Sequence, residues 1–384
     1  MITSPDVPDP DVPDRERLGL GHGLDHGFNR PREERSPMPR QPSRRTTLLG
    51  LAALGAGALS GCTPPSGGPA AGGGSGSGSG SPGLPLTPSP AVSDTGPPSP
   101  RPMPSTTVTA ATGVVVVPGS PVRVVTLDTA ELDSAITLGI APVGAARAPA
   151  DRGLPDYWPA SWSAAIAPVG TIGSPDPGKI AALAPQLILG NQTRDGSAYD
   201  TLSRIAPTVL TQTTGYPWKA DFQLHAQALG RQEQAAAVVG AYGRHVAQTS
   251  QAISDAGSAG KRVSIVRFVE GSPNVRLYGK QNFIGTLLTD LELGRPDAQN
   301  IDQFDIEVPP DQIAKADGDL LLYSTYGDPA KAGTAAVLAS SGWQALGAVK
   351  AHRAFPVDDQ LWFEGIGYTG ANLVLAELQH FLGG

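Results

Sequence analysis

The chain is poor in several things at once. One cysteine and six histidines stand in 384 residues, and aromatics make up only 5%. A single cysteine leaves no partner for an intrachain disulfide. Beyond residue 61 the histidines are His225, His245, His352 and His380. No two of them have the spacing of a metal-ligand pair, so a directly held metal finds no support. There is no G-x-S-x-G elbow, no H-E-x-x-H and no activated cysteine, which leaves an exported hydrolase without visible machinery. "GSAGK" at 257–261 lacks the spacing of a phosphate loop and follows a helical pattern instead of opening one. Basic surplus is missing too: the net charge is −7. Eight basic and eight acidic residues fall before Cys62, so the whole surplus of negative charge lies after it. That excludes the basic face of a nucleic-acid binder. Nor does the apolar run at 46–61 reach across a bilayer, being 16 residues long where a span needs about 20.

What is present begins with that run. It is rich in Ala, Gly and Leu, follows "SRR" and ends in "LSGC" at Cys62. Its length suits the apolar region of an export signal, and the paired arginines resemble the twin-arginine export pattern. "LSGC" resembles a bacterial lipobox, which implies a lipidated Cys62 as the mature N-terminus. Residues 1–37 carry five basic and eight acidic residues, the wrong sign for a signal's leading segment, whereas a start at Met38 gives "MPRQPSRR". We therefore assign 1–61 to leader and signal with Met38 as the true start. Residues 62–113 are a disordered Gly/Ser/Pro spacer holding the domain off the membrane.

From residue 114 strand and helix signals alternate, which indicates an α/β fold with a parallel sheet. "VRVVTL" (122–127) reads as a buried strand and "TAELDSAITLGI" as a helix with Leu132, Ala135 and Ile136 on one face. "LILG" and "TVL" are further strands. From 219 to 256 nothing reads as strand. Gly230 divides two helices, and the second is about 26 residues with Val238, Val239, Tyr242, Val246 and Ile253 along one stripe. Alternation then resumes through "VSIVRFV", "VRLYG", "FIGTLLTDL", "DLLLYS" and "AFPV" to a final helix. The plan is an N-terminal lobe at 114–229, a bridging helix at 230–257 and a C-terminal lobe at 258–384.

Several blocks in order resemble the class III periplasmic-type binding proteins of ABC importers, the group that handles iron–siderophores, haem and cobalamin. They are "VVTLDTAELDSAITLGIAPVGA", "IGSPDPGKIAALAPQLIL", "SRIAPTV", "DQIAKADGDLLLYS" and "WQALGAVKAHRAFPVDDQLWFEG". The resemblance implies two Rossmann-like lobes with mainly parallel sheets, one long rigid helix between them, and a ligand in the cleft. It implies no enzymatic activity and no resident cofactor, a ferric siderophore as ligand, an ABC permease as partner and a monomer tethered by lipid on the extracytoplasmic face. Cobalamin or haem, or a role as surface sensor, are the alternatives. In the family each lobe docks on the permease through an acid. Here Gly178 stands at the first of those positions, with Asp176 two residues before it, and Asp311 stands at the second.

A siderophore brings its own iron ligands, so its receptor needs aromatic faces and guanidinium donors. In open α/β sheets these belong at the carboxyl ends of strands. Arg267 interrupts the apolar strand "VSIVRFV", as a cleft cation or as a partner for Glu270. Arg276 and Tyr278 alternate on "VRLYG". Tyr216 and Trp218 lie in "GYPWK", Asn191 follows "LILG", and Tyr326 follows "DLLLYS". Trp362 and Tyr368 follow "AFPV", with a place in the core as the other reading of Trp362. Trp158 and Trp162, in "YWPASWS", wall the cleft or cap a loop.

Overall fold

The structure is a computed structural model, and it describes residues 104–383. Cys62, the leader and the Gly/Ser tract lie outside the described residues. The spacer reading needs correction at its end. Strands β1 (Ser105–Ala110) and β2 (Gly113–Pro118) form an antiparallel hairpin. Thr and Val dominate both strands and suit a pleated surface, and Gly113 takes φ +108° at the turn, where a side chain would be strained.

The N-terminal lobe is a six-stranded sheet of β3 (Val124–Thr126), β4 (Gly144–Arg147), β5 (Ala167–Thr171), β6 (Ser174–Pro175), β7 (Leu187–Asn191) and β8 (Thr208–Thr211). Its order is β6-β5-β4-β3-β7-β8, parallel except for β6. Every residue of β3, β7 and β8 is buried, as expected of a parallel sheet covered on both faces. Helix α1 (Thr129–Thr137) starts straight from β3, with the Asp128 carboxylate accepting the Thr129 N–H at 2.7 Å. Strand order reverses between β3 and β7, which opens a crevice beyond their carboxyl ends.

Two helices follow. α2 (Trp218–Leu229) stops at Gly230, whose φ of 64° makes a left-handed cap. α3 (Gln232–Asp255) runs for 24 residues, about 36 Å at 1.5 Å per residue. Tyr242 and Ile253 on its stripe are buried, and Val238, Val239 and Val246 pack beside them.

The C-terminal lobe holds β9 (Val263–Val269), β10 (Val275–Tyr278), helix α4 (Phe283–Asp290), β11 (Asp305–Val308), β12 (Leu320–Tyr326), β13 (Ala354–Pro356) and helix α5 (Tyr368–Leu382). The strand order is β11-β10-β9-β12-β13. β12 is parallel to β9 and β13, whereas β10 is antiparallel to both its neighbours. The five-residue link from β9 to β10 forces that reversal, since a parallel crossover needs a dozen residues or more.

The lobes share one apolar core that includes Leu187, Leu189, Phe222, Tyr242, Val263, Ile265, Tyr368 and Val374. At its centre Tyr368 meets Trp218 at 4.8 Å, Phe222 at 4.6 Å and Tyr242 at 5.2 Å between ring centroids. Polar struts cross beside it. Lys219 donates to Asp290 at 2.7 Å, the Tyr242 hydroxyl donates to the same carboxylate at 2.5 Å, and Trp218 Nε1 donates to Thr286 at 2.8 Å. α5 also packs on α1, where the buried Asp133 accepts the Thr369 and Gly370 N–H groups at 3.2 and 3.1 Å.

Candidate functional site

The carboxyl ends of the parallel strands in both lobes face one cleft. It has a larger chamber of about 300 Å³ and a smaller one of about 160 Å³, and Arg194, Arg267, Arg276, Phe363 and Ile366 line both.

Arg267 lies near the end of β9, with Phe268 and Val266 buried on either side of it in sequence. Its guanidinium is held between the rings of Tyr326 at 4.7 Å and Phe363 at 4.8 Å. Such stacking fixes the plane of the fork and adds cation–π attraction. Its partner is Asp359, bonded from Nε at 2.8 Å and from Nη2 at 2.5 Å. Glu270, offered above as a partner, instead pairs with Lys331 at 2.7 Å. Ser324 donates to the same Asp359 at 2.6 Å, which fixes the carboxylate in turn. Arg276 is the cross-strand neighbour of Arg267 in the β9–β10 register. Like charges in that position destabilise a sheet. Here Asp305 and Glu307 offset the repulsion, each 2.8 Å from Arg276.

The opposite wall carries Arg194, which the sequence reasoning missed although it stopped three residues short at Asn191. Asn191 is fully buried and is not a ligand contact. Its amide donates to Asp128 at 3.0 Å and its carbonyl caps the short helix Gln192–Asp195 by accepting the Arg194 N–H at 3.1 Å. It therefore sets both members of the Arg194–Asp128 pair, which are 3.3 Å apart.

The other expected residues divide. Tyr278 is buried at the cleft floor, and its hydroxyl accepts from Arg267 at 3.4 Å. Tyr326 lines the larger chamber and accepts the Ala150 N–H across the lobes at 3.2 Å. Trp362 lines the smaller chamber from behind: it has no exposed surface, and its Nε1 donates to Glu377 at 2.6 Å, so it serves as core and as the back of the cleft. Its neighbour Phe363 presents the face. Trp218 and Tyr368 are corrected, being members of the buried aromatic cluster between the lobes. Tyr216 is half exposed and is not among the lining residues, whereas Thr214 and Gly215 beside it are. Trp158 is buried within the N-terminal lobe beside Leu132, Ala145 and Ile166, and Trp162 borders an outer cavity.

Glu364 adds a further acid. It is 8% exposed and lies 3.9 Å from Arg267. Burial first, then the facing Asp151 and Asp359, push its pKa up to about 9 against the pull of Arg267, so it is neutral at pH 7. Of the two expected docking acids, Asp176 is exposed and caps the short helix Pro177–Ala182, accepting the Gly178 and Lys179 N–H groups at 3.0 and 3.1 Å. Asp311 is exposed in the turn after β11. Asp176 follows the antiparallel edge strand β6, and Asp311 follows the edge strand β11. Among the described residues, no group of three or more His, Cys, Asp or Glu side chains is placed to hold a metal.

Comparison with known proteins bears on this arrangement. The family model described as periplasmic binding protein matches residues 124–361. The probable siderophore-binding lipoprotein YfiY of Bacillus subtilis is 32% identical over 276 residues, covering 69% of this chain and 83% of its own. The achromobactin-binding periplasmic protein of Dickeya dadantii is 25% identical over 270 residues, covering 68% and 87%. Staphylococcus aureus SirA complexed with staphyloferrin B superposes with a TM-score of 0.65 at 26% identity, over 72% of this chain and 98% of that one.

Proposed function

The chain belongs to the periplasmic binding protein family, and on that premise we propose that it captures a ferric siderophore outside the cytoplasm and delivers it to an ABC permease. Relatives named as siderophore-binding support the class of ligand. The observation that carries the reading is the cross-strand pair Arg267 and Arg276 facing Arg194 over the cleft. The two adjacent guanidiniums, each held in place by its own acid, offer a paired set of N–H donors to ligand oxygens between the lobes. Iron enters already chelated, so the protein supplies no cofactor and performs no reaction.

The chelate is of the hydroxamate type. Each cleft arginine already has an acid: Asp128 for Arg194, Asp359 for Arg267, and Asp305 with Glu307 for Arg276. Glu364 is held neutral. The cleft is thus nearly balanced in charge. Fe(III) with three monoanionic hydroxamates is neutral, whereas with three dianionic catecholates it carries three negative charges. A balanced cleft suits the first and leaves the second undercompensated. Cys62 is lipidated and the export route is twin-arginine, resting on "SRRTTLLGLAALGAGALSGC". The protein works as a monomer.

Calorimetric titration of the mature domain tests the ligand. A ferric trihydroxamate should bind, ferric triscatecholate more weakly, and unchelated Fe(III) at no stoichiometric site. Binding of cobalamin or haem with none of any siderophore overturns the reading. Fractionation tests the anchor: Cys62→Ala should leave the membrane fraction, and an alanine variant that pellets like wild type overturns it.

A further inference from the structure

The two chambers differ in chemistry, and that difference bears on the shape of the ligand. Residues confined to the larger chamber include the acids Asp128 and Glu364 and the hydroxyls of Thr129 and Tyr326. The smaller chamber instead has the rings of Tyr278, Phe283, Phe304 and Trp362 with Ile284, and among the residues confined to it one aliphatic hydroxyl, that of Thr214, which has no hydrogen-bond partner among the described residues. Its one amide, Asn282, has no polarity left to offer. That side chain donates to the Gly279 and Phe304 carbonyls at 3.0 and 2.7 Å and accepts the Gly285 N–H at 2.7 Å. The arginines lie on the partition, since all three line both sides. A chelate whose oxygens meet the guanidiniums from the larger, acid- and hydroxyl-bearing side leaves the smaller side empty. At about 160 Å³ that space is close to the 150 Å³ cavity that takes up benzene in an engineered protein. Phe304 stands at its mouth with 46% of its surface exposed, an apolar face without cover.

We infer, resting on the siderophore reading above, that the ligand is asymmetric: its chelate sits against the arginines in the larger chamber and an apolar or aromatic arm of the same molecule enters the smaller one. The chamber's continuity with the arginine-lined cleft makes the arm, rather than a separate molecule, its occupant. Binding then discriminates among chelates of equal charge by what they carry beside the iron.

The test uses the whole mature domain and two neutral probes that differ only in the arm: a ferric linear trihydroxamate whose terminal amine is capped with acetyl, and the same chelate capped with benzoyl. Wild type should bind the benzoyl form at least about tenfold more tightly, the equivalent of 1.4 kcal/mol. Thr214→Trp, which fills the smaller chamber, should bring that ratio to about one. Should Thr214→Trp not fold, Phe304→Ala at an exposed position should reduce the ratio instead. Equal binding of both probes by wild type overturns the asymmetric ligand and leaves siderophore binding standing. A ratio that survives in both variants overturns the placement of the arm. Failure of both probes to bind sinks the siderophore reading and this inference with it.

Discussion

At the residue scale the cleft depends on guanidiniums whose positions are fixed by acids. On the proposed function Arg267 makes a charge-assisted bond to a ligand oxygen, and its removal should cost about 1.5–3 kcal/mol, or roughly 10- to 150-fold in affinity. Arg267→Ala should lose that much ferric-siderophore affinity by calorimetry while its circular dichroism stays native. A folded variant of unchanged affinity removes Arg267 from the site. Arg194→Ala should lose a similar amount. Glu364 gives a pH signature. Its pKa is raised to about 9 in the folded state, against about 4.3 for a free side chain. A raised acid contributes stability that is lost as pH rises through the folded pKa. The melting temperature should therefore fall from about pH 5 up to about pH 9 and gain no further slope from this group above that, and Glu364→Gln should flatten that fall. An identical slope in the variant excludes Glu364 as the cause. Arg267 was legible because a charge inside "VSIVRFV" breaks an apolar strand. Arg194 and Asp359 were not, because nothing in a short loop distinguishes a cleft charge from a solvated one. Phe363 was missed beside Trp362 because two adjacent aromatics beyond a strand end give no sign of which presents the more open face.

At the element scale, periodicity carried most of the information. The stripe on α3 and the stop at Gly230 follow from helical spacing and from a left-handed cap. β1 and β2 went unread because their Val-rich run sits against a Gly/Ser/Pro tract, where composition masks pattern. β11, four residues long, is too short to show alternation. The inter-lobe use of α5 was also hidden, since a helix start shows in sequence but a cap supplied from 236 residues away does not. Asp133 is that cap. Loss of an N-cap costs about 0.5–2 kcal/mol, and a domain of 150–250 residues loses about 2–4 °C per kcal/mol. Asp133→Ala should lower the melting temperature by several degrees, and Asp133→Asn, which keeps one acceptor, by less. A melting curve unchanged in the alanine variant removes the cap from the account of how α5 is seated.

For the molecule as a whole, the shared core sets what the lobes can do. Trp218, Tyr242 and Tyr368 interlock at 4.8 to 5.9 Å, and close-packed interiors deform little. Wide hinging would have to separate these rings and break the Lys219–Asp290 pair. On the proposed function, the surface presented to a permease is then nearly the same with and without ligand, and recognition is expected to use one fixed acid in each lobe. Asp311 is free to serve as such a charge. Asp176 already caps a helix, so its alanine variant would mix a docking defect with a lost cap. Asn caps about as well as Asp, which makes Asp176→Asn the clean substitution. Both Asp311→Ala and Asp176→Asn should reduce siderophore-dependent iron uptake in cells while leaving affinity and melting temperature of the isolated domain at wild-type values. If uptake is intact in the double variant, the permease grips some other surface. If affinity falls instead, these acids face the cleft and their assignment to the permease is wrong.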